Sequence, residues 1–142
     1  MSDLLAINDA ITAQLNTLAQ DVYESAVPDD VKIKNSANGL FLPFIIVHYG
    51  DVQESARSRG IISSRFNGGT SFCVVECVAP TERASRQVAA LVRNALTGFI
   101  PSTAGELRLA GGRASTMVES TAVPKRYITE VSFNFFLDTV VS

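Results

Sequence analysis

An α+β domain with a mixed, mostly antiparallel sheet packed by two helices is what this sequence predicts, and three stretches predict it. Thr70–Ala79 reads as a strand with apolar residues on both faces: Phe72, Val74 and Val78 on one, Cys73, Val75, Cys77 and Ala79 on the other. Such a strand is expected in the middle of a sheet, covered on both sides. After Pro80, Thr81–Thr97 reads as a helix with Thr81 as N-cap and Gly98 as the residue that closes it. Ala84, Val88, Leu91, Val92, Ala95 and Leu96 form its apolar stripe, and Arg83, Arg86 and Arg93 sit off that stripe. Arg126–Asp138 alternates, with Tyr127, Val131, Phe133, Phe135 and Leu137 on one face beside Thr129. Ile128, Glu130, Ser132, Asn134, Phe136 and Asp138 lie on the other. Its aromatic face is expected to pack on the helices.

The remaining elements follow in order. Asp3 to about Tyr23 reads as an amphipathic helix, with Leu4, Ile7, Ile11, Leu15, Leu18 and Val22 on one face and Ser2 or Asp3 as cap. Pro28, Asp29 and Asp30 mark its exit. Val31 and Ile33 alternate with Lys32 and Lys34 in a short strand whose lysines discourage stray edge pairing. Asn38-Gly39 signals a turn. Leu40–Tyr49 is a second strand, and Pro43 places its start at an edge or a bulge. Gly50–Arg59 is polar, a loop or the tip of a long hairpin. Gly60–Phe66 reads as a third strand, turned by Asn67-Gly68-Gly69 into the central one. Pro101–Arg113 is rich in Gly, Ala and Ser and is expected to be mobile, with a brief strand at Glu106–Leu109. Ser115–Ser120 is a further short strand. The order is α-β-β-β-β-α-β-β in a single domain over residues 1–142, with long flexible loops.

Bulk properties narrow the function. The chain is 46% hydrophobic and 18% charged, against about 25% charged in typical domains. That shortfall hints at surface covered by other subunits; a Thr/Ser-rich surface is the alternative. A net charge of −2 gives no global attraction for nucleic acid. The charge is uneven: residues 1–30 hold Asp3, Asp9, Asp21, Glu24, Asp29 and Asp30 and no Lys or Arg. Basic residues follow in the loops, and this asymmetry can orient one subunit against the next. Met-Ser-Asp opens no basic n-region and no h-region follows, so a secretory signal is not expected. No run reaches the ~20 apolar residues of a membrane span. Cys73 and Cys77 lie on one strand face, roughly 13 Å apart at ~3.3 Å per residue, too far to bridge. They read as buried thiols in a reducing compartment.

No motif carries chemistry. His48, the single histidine, sits in the apolar run Phe44–Tyr49 and reads as a satisfied strand residue. A Cys–His nucleophile pair stays open as an alternative, against which Cys73 is mid-strand. The two cysteines have the wrong spacing for zinc. Asn67-Gly68-Gly69 and Ala110-Gly111-Gly112 are turns, without the GxxxxGK[ST] or GxGxxG pattern of phosphate loops. Glu76, on an apolar strand face, calls for a partner, and an arginine is the expected one. Arg57, Arg59 and Arg65 border the polar hairpin with only Phe66 nearby, which is too little aromatic interleaving for nucleic acid. They are either solvated loop charges or contacts to a neighbouring subunit. With Arg108 and Arg113 they make the candidate assembly interface. No catalytic, cofactor-binding or metal-ligating residue is assigned.

The layout as a whole resembles a known family. The N-terminal helix, the strand LPFIIVHYGD, the polar hairpin, the unit TSFCVVECVAPTERASRQVAALVRNALTGF, the glycine-rich loop and the strand RYITEVSFNFFLD come in the order of the tail terminator proteins of long-tailed bacteriophages, and of the related tail-completion and minor tail proteins. The resemblance covers nearly the whole chain and rests on layout rather than signature residues. It implies a non-enzymatic, structural virion subunit, assembled in the host cytoplasm, that forms a hexameric ring at the head-proximal end of the tail. The ring stops tube polymerisation and offers a surface for head–tail joining. The implied partners are further copies of the chain, the tail tube protein and the head-side connector, with no cofactor and no membrane. DNA passes through without tight binding, which suits a lumen without clustered Lys and Arg. A head–tail connector or tail tube protein is the alternative within the class, and a small ligand-binding module or enzyme the alternative outside it.

Overall fold

Gly69–Ala79 (β5) is the strand around which the other elements are arranged, hydrogen-bonded along both edges. The computed structural model describes residues 2–27, 40–51, 53–54, 69–110, 116–119, 125–137 and 140–141. The elements before β5 are β1 (Ser2–Asp3), α1 (Leu4–Leu15), β2 (Asp21–Glu24), β3 (Phe44–Tyr49) and β4 (Gln53–Glu54). After it come α2 (Glu82–Leu96), β6 (Arg108–Leu109), β7 (Thr116–Glu119), β8 (Arg126–Leu137) and β9 (Val140–Val141). The main sheet runs β2-β3-β5-β8-β6, with β4 also on β5 and β7 also on β8. Only the β2–β3 pairing in it is parallel. Ser2–Asp3 pairs in parallel with Val140–Val141 in a separate two-stranded ribbon. This is the α+β arrangement expected, with a mixed, mostly antiparallel sheet and two helices.

The β5–Pro80–α2 unit forms as its sequence dictates. Thr81 accepts a hydrogen bond from the Ala84 amide at 3.1 Å, and Gly98 takes φ +80°, which a residue without Cβ adopts at no steric cost. The helix faces the sheet through Ser85, Val88, Ala89, Val92 and Leu96. Leu91, expected on that stripe, is 44% exposed. The small Ser85 and Ala89 take the contact instead, and the buried Ser85 hydroxyl bonds to that of Thr129 on β8.

The first helix is shorter than expected. It ends at Leu15, where the backbone tightens into Thr17 N–Gln14 O and Leu18 N–Leu15 O bonds and the Thr17 hydroxyl donates to the Gln14 carbonyl at 2.6 Å. Asp21–Glu24 is a strand, pairing Val22 with Ile45 and Tyr23 with Ile46. Val22 fits an inward strand position as well as a helix stripe, and Val and Tyr favour strands. Ile7, Ile11 and Leu15 are fully buried, as the periodicity requires. Tyr49 on β3 donates to the Asn8 carbonyl at 2.9 Å, Thr12 donates to Glu24 at 2.9 Å, and Gln14 donates to the Ala95 carbonyl at 3.1 Å. These bonds hold α1 against β2, β3 and α2.

The second strand enters the ladder at Phe44, just after Pro43, and the last spans Arg126–Leu137 with Thr129, Val131, Phe133, Phe135 and Leu137 buried. The strands expected at Val31–Lys34 and Gly60–Phe66, the turns at Asn38-Gly39 and Asn67-Gly68, and residues 111–113 lie outside the described residues. The stretch after α2 is tied to the sheet: Gly105 N donates to Phe136 O at 2.8 Å, Leu107 N to Phe99 O at 2.8 Å and Ala110 N to Ser132 O at 2.9 Å. Ala104 and Leu107 are buried under it.

The core lies between the helices and one face of the sheet. It joins α1 (Ile7, Ile11, Leu15), α2 (Val88, Val92, Leu96) and the inward residues of β3, β5 and β8, centred on Phe133 at 0% exposure.

Candidate functional site

Both helices lie on the inner face, so the outer face of β3, β5 and β8 is left for other uses. The coverage on both sides expected of β5 holds on one side only. The double apolar pattern arises because the outer residues form two separate groups rather than a second core layer. By register the outer residues include Ile46 and His48 on β3, Phe72, Val74 and Glu76 on β5, and Glu130, Asn134 and Phe136 on β8.

One end of this face is filled by the chain itself. Phe41, Phe44 and Val78 are buried there, with Tyr23, Val27, Ile46 and Ile128 packed around them. Tyr23 meets Phe44 edge-on at 6.0 Å between ring centres, and the Arg126 guanidinium lies 5.9 Å from the Phe44 ring centre.

The middle is charged. His48 Nε2 stands 3.2 Å from Glu76 Oε1, an ion pair when the imidazole is protonated. The partner foreseen for Glu76 was an arginine; the structure supplies His48. The two reside on diagonal positions of β3 and β5, where Ile46 pairs with Glu76 and His48 with Val74. Glu130 lies directly opposite Glu76 on the other side. Like charges facing each other across a ladder are destabilising, and His48, when protonated, sets a positive charge beside Glu76. Among the described residues neither carboxylate has a lysine or arginine partner.

The other end is apolar and open. Phe72 is 38% and Phe136 59% exposed. Gly50 faces Phe72, donating its amide to the Phe72 carbonyl at 2.9 Å, and a Cβ there would stand 2.3 Å from the ring. Glycine at this point lets the ring lie flat over the neighbouring strand. Beside Phe136 is a shallow depression of about 290 Å³ bordered by Thr70, Gly105, Glu106, Arg108 and Asn134.

Of the candidate interface residues, Arg108 is described: it projects from β6 with its side chain 78% exposed and 3.4 Å from Glu106. Arg57, Arg59, Arg65 and Arg113 lie outside the described residues. Sequence reasoning did not single out Phe72, Phe136 or the His48–Glu76 pair as a surface. The signal was present in Phe136, the one aromatic on the mostly polar face of the last strand.

The nucleophile candidates are enclosed. Cys73 and Cys77 are free, fully buried thiols, and burial pushes both up to about 12. For Cys77, Arg93 opposes that rise and Glu76 adds to it. At neutral pH both are protonated and weakly nucleophilic. Burial likewise raises Tyr49, against its hydrogen-bond contact with Thr12. Among the described residues no group of three or more His, Cys, Asp or Glu is placed to hold a metal ion, and no helix is long and apolar enough to cross a membrane.

The class this geometry defines is an α+β fold with two helices on one face of a mixed sheet and an amphipathic, partly uncovered face on the other. No protein-family model and no curated protein matches the sequence. Solved structures do match. One is a chain of the virion of a native gene transfer agent particle, similar over 94% of this chain and 95% of that chain, with TM-score 0.62 and 19% identity. Another, which carries no functional name, matches over 97% of this chain and 94% of that chain, with TM-score 0.53 and 13% identity. At these identities the likeness is one of fold.

Proposed function

We propose that this chain is a structural virion protein of the tail-terminator type, not an enzyme. Copies of it form a ring, hexameric in the family it resembles, at the head-proximal end of a phage tail. There the ring stops the tube and offers a surface for head–tail joining. The observation that carries this reading is the likeness in fold, over nearly the full length of both chains, to a chain of a virion particle. The element order read from the sequence supports it independently. So does a sheet face with exposed aromatics and a central charged group, which is the composition of a surface that meets protein. The partners in this reading are further copies of the chain, the tail tube protein and a head-side connector, and DNA passes without being held.

Light scattering on the purified chain, alone and with tail tubes, tests this. The expected result is a closed ring of about six copies, or a monomer that gathers as a ring on tube ends and halts their growth. Unaided growth into filaments would instead make it a tube subunit. A stable dimer with a bound small molecule would contradict the assembly reading outright.

Replacing Arg57, Arg59 and Arg65 together with Ala is expected to leave the melting transition in place, since surface changes cost under ~0.5 kcal/mol each. It is expected to weaken assembly. Unchanged tail joining in a complementation assay would remove these arginines from the interface.

A further inference from the structure

We propose that the exposed side of α2 on one copy of this chain packs on the outer sheet face of the next, with Arg83 against the Glu76–Glu130 pair and Leu91 against Phe72. The inference rests on the assembly reading above and deepens it by naming the two surfaces that meet.

The two surfaces match in sign. On the outer face Glu76 and Glu130 stand opposite each other, with His48 beside Glu76. Among the described residues no lysine or arginine is paired with either carboxylate. The exposed side of α2 carries Arg83, Arg86 and Arg93. Glu82 lies 3.3 Å from Arg86, whereas Arg83 has no acidic partner among the described residues. The other helix has the wrong sign: α1 exposes Leu5 beside Asp9 and contains no Lys or Arg, so it would bring a further negative charge to the face.

They also match in spacing. Arg83, Gln87 and Leu91 follow at four-residue steps, so they form one ridge of the helix, and all three are exposed. Arg83 and Leu91 are about 12 Å apart along the helix axis. Glu76 and Phe72 are about 13 Å apart along β5. With α2 of one copy running antiparallel to β5 of the next, Arg83 meets the carboxylates where Leu91 meets the Phe72 ring, and Gln87 falls level with Val74 and Ser132. Leu91 is 44% and Phe72 38% exposed, and the contact removes apolar area of both from water. One chain cannot make this contact with itself, because its α2 is buried against the opposite side of the sheet through Val88, Val92 and Leu96. The two surfaces are different and point away from each other, so the contact is heterologous, and repeated around an axis it closes a ring.

A charge exchange tests the contact. One variant carries Arg83→Glu, an exposed change in the first turn of α2, where a carboxylate suits the helix dipole. A second carries Glu76→Gln and Glu130→Lys; Glu130→Lys alone, at an exposed position, serves in its place if the double change disturbs folding. Ring formation is followed by light scattering of the free chain and by microscopy of tube ends. Each variant alone is expected to assemble about tenfold more weakly, as like charges meet. An equimolar mixture is expected to regain rings, with the two variants alternating, because each ridge then meets a face of opposite sign. A single chain carrying both sets of changes is expected to regain them as well. Variants that assemble like wild type, while wild type forms rings, overturn the contact and leave the assembly reading standing. Weakened variants that recover neither in the mixture nor in the combined chain place the two charges against different partners, and also overturn it. Loss confined to the sheet-face variant, with Arg83→Glu assembling normally, assigns the face to another occupant and overturns it too. A wild-type chain that stays monomeric both alone and on tubes removes the contact and the assembly reading together.

Discussion

The two faces of the sheet carry comparable residues and do different work. On the inner face Cys73, Val75, Cys77, Val131, Phe133 and Phe135 are buried under the helices. On the outer face Phe72 and Phe136, on the same strands, stand open beside Glu76 and Glu130. Strand alternation sends neighbouring phenylalanines in opposite directions: Phe135 is 2% exposed and Phe136 59%. Hydrophobicity alone therefore does not mark the core here. What marks it is whether the chain lays another part of itself over the residue, a helix on the inner face or the Tyr23–Phe41 cluster at one end of the outer one.

The comparison can be broken most severely at Phe133. Phe133→Ala is expected to cost ~3–5 kcal/mol, because the ring is fully enclosed and the cavity has no room to collapse. A loss below 1 kcal/mol in a denaturant titration would mean that the inner face is not the stabilising one.

The next effect comes from pH. Both inner thiols are raised from 9.0 to about 12. Their folded values exceed the unfolded ones, so the stability they contribute is fully present below pH 9 and is lost as pH rises toward 12. At pH 10 the loss is about 1 kcal/mol per thiol. The melting temperature is expected to fall across this window, and less steeply in a Cys73→Ala/Cys77→Ala variant. Equal slopes for the two proteins would contradict the burial of the thiols.

Local ties rank below these. Tyr49→Phe removes the bond to the Asn8 carbonyl and is expected to cost about 1 kcal/mol. Thr81→Ala removes the cap of α2 and is expected to cost a similar ~1 kcal/mol. The smallest effect on stability is expected on the outer face: Phe136→Ser should shift unfolding by under ~0.5 kcal/mol while weakening assembly. A Phe136→Ser chain as destabilised as Phe133→Ala would erase the distinction between the faces.

How much of this was legible depended on whether the signal was local. Thr81, Gly98 and the alternation from Tyr127 to Leu137 specify caps and faces within a few residues, and the structure carries all three. The end of α1 was harder, because Leu18 and Val22 satisfy a helical period and Val22 also satisfies a strand's. Leu91 was misplaced because Ser85 and Ala89 make the close approach to β8, and small residues carry little hydrophobic signal. The outer surface was the least legible. Two apolar faces on β5 look the same whether helices cover both or a partner covers one. The His48–Glu76 pairing depends on a register between strands separated by some twenty residues, which no local pattern encodes. Of the candidate arginines, Arg108 takes its place beside the open depression.

Oxidative footprinting of the free and assembled chain tests the central claim most directly. If the outer face is where copies meet, Phe72 and Phe136 lose reactivity on assembly while the exposed Leu5 on α1 keeps it. If both phenylalanines react equally in the two states while rings form, the open face of the sheet is not the assembly surface.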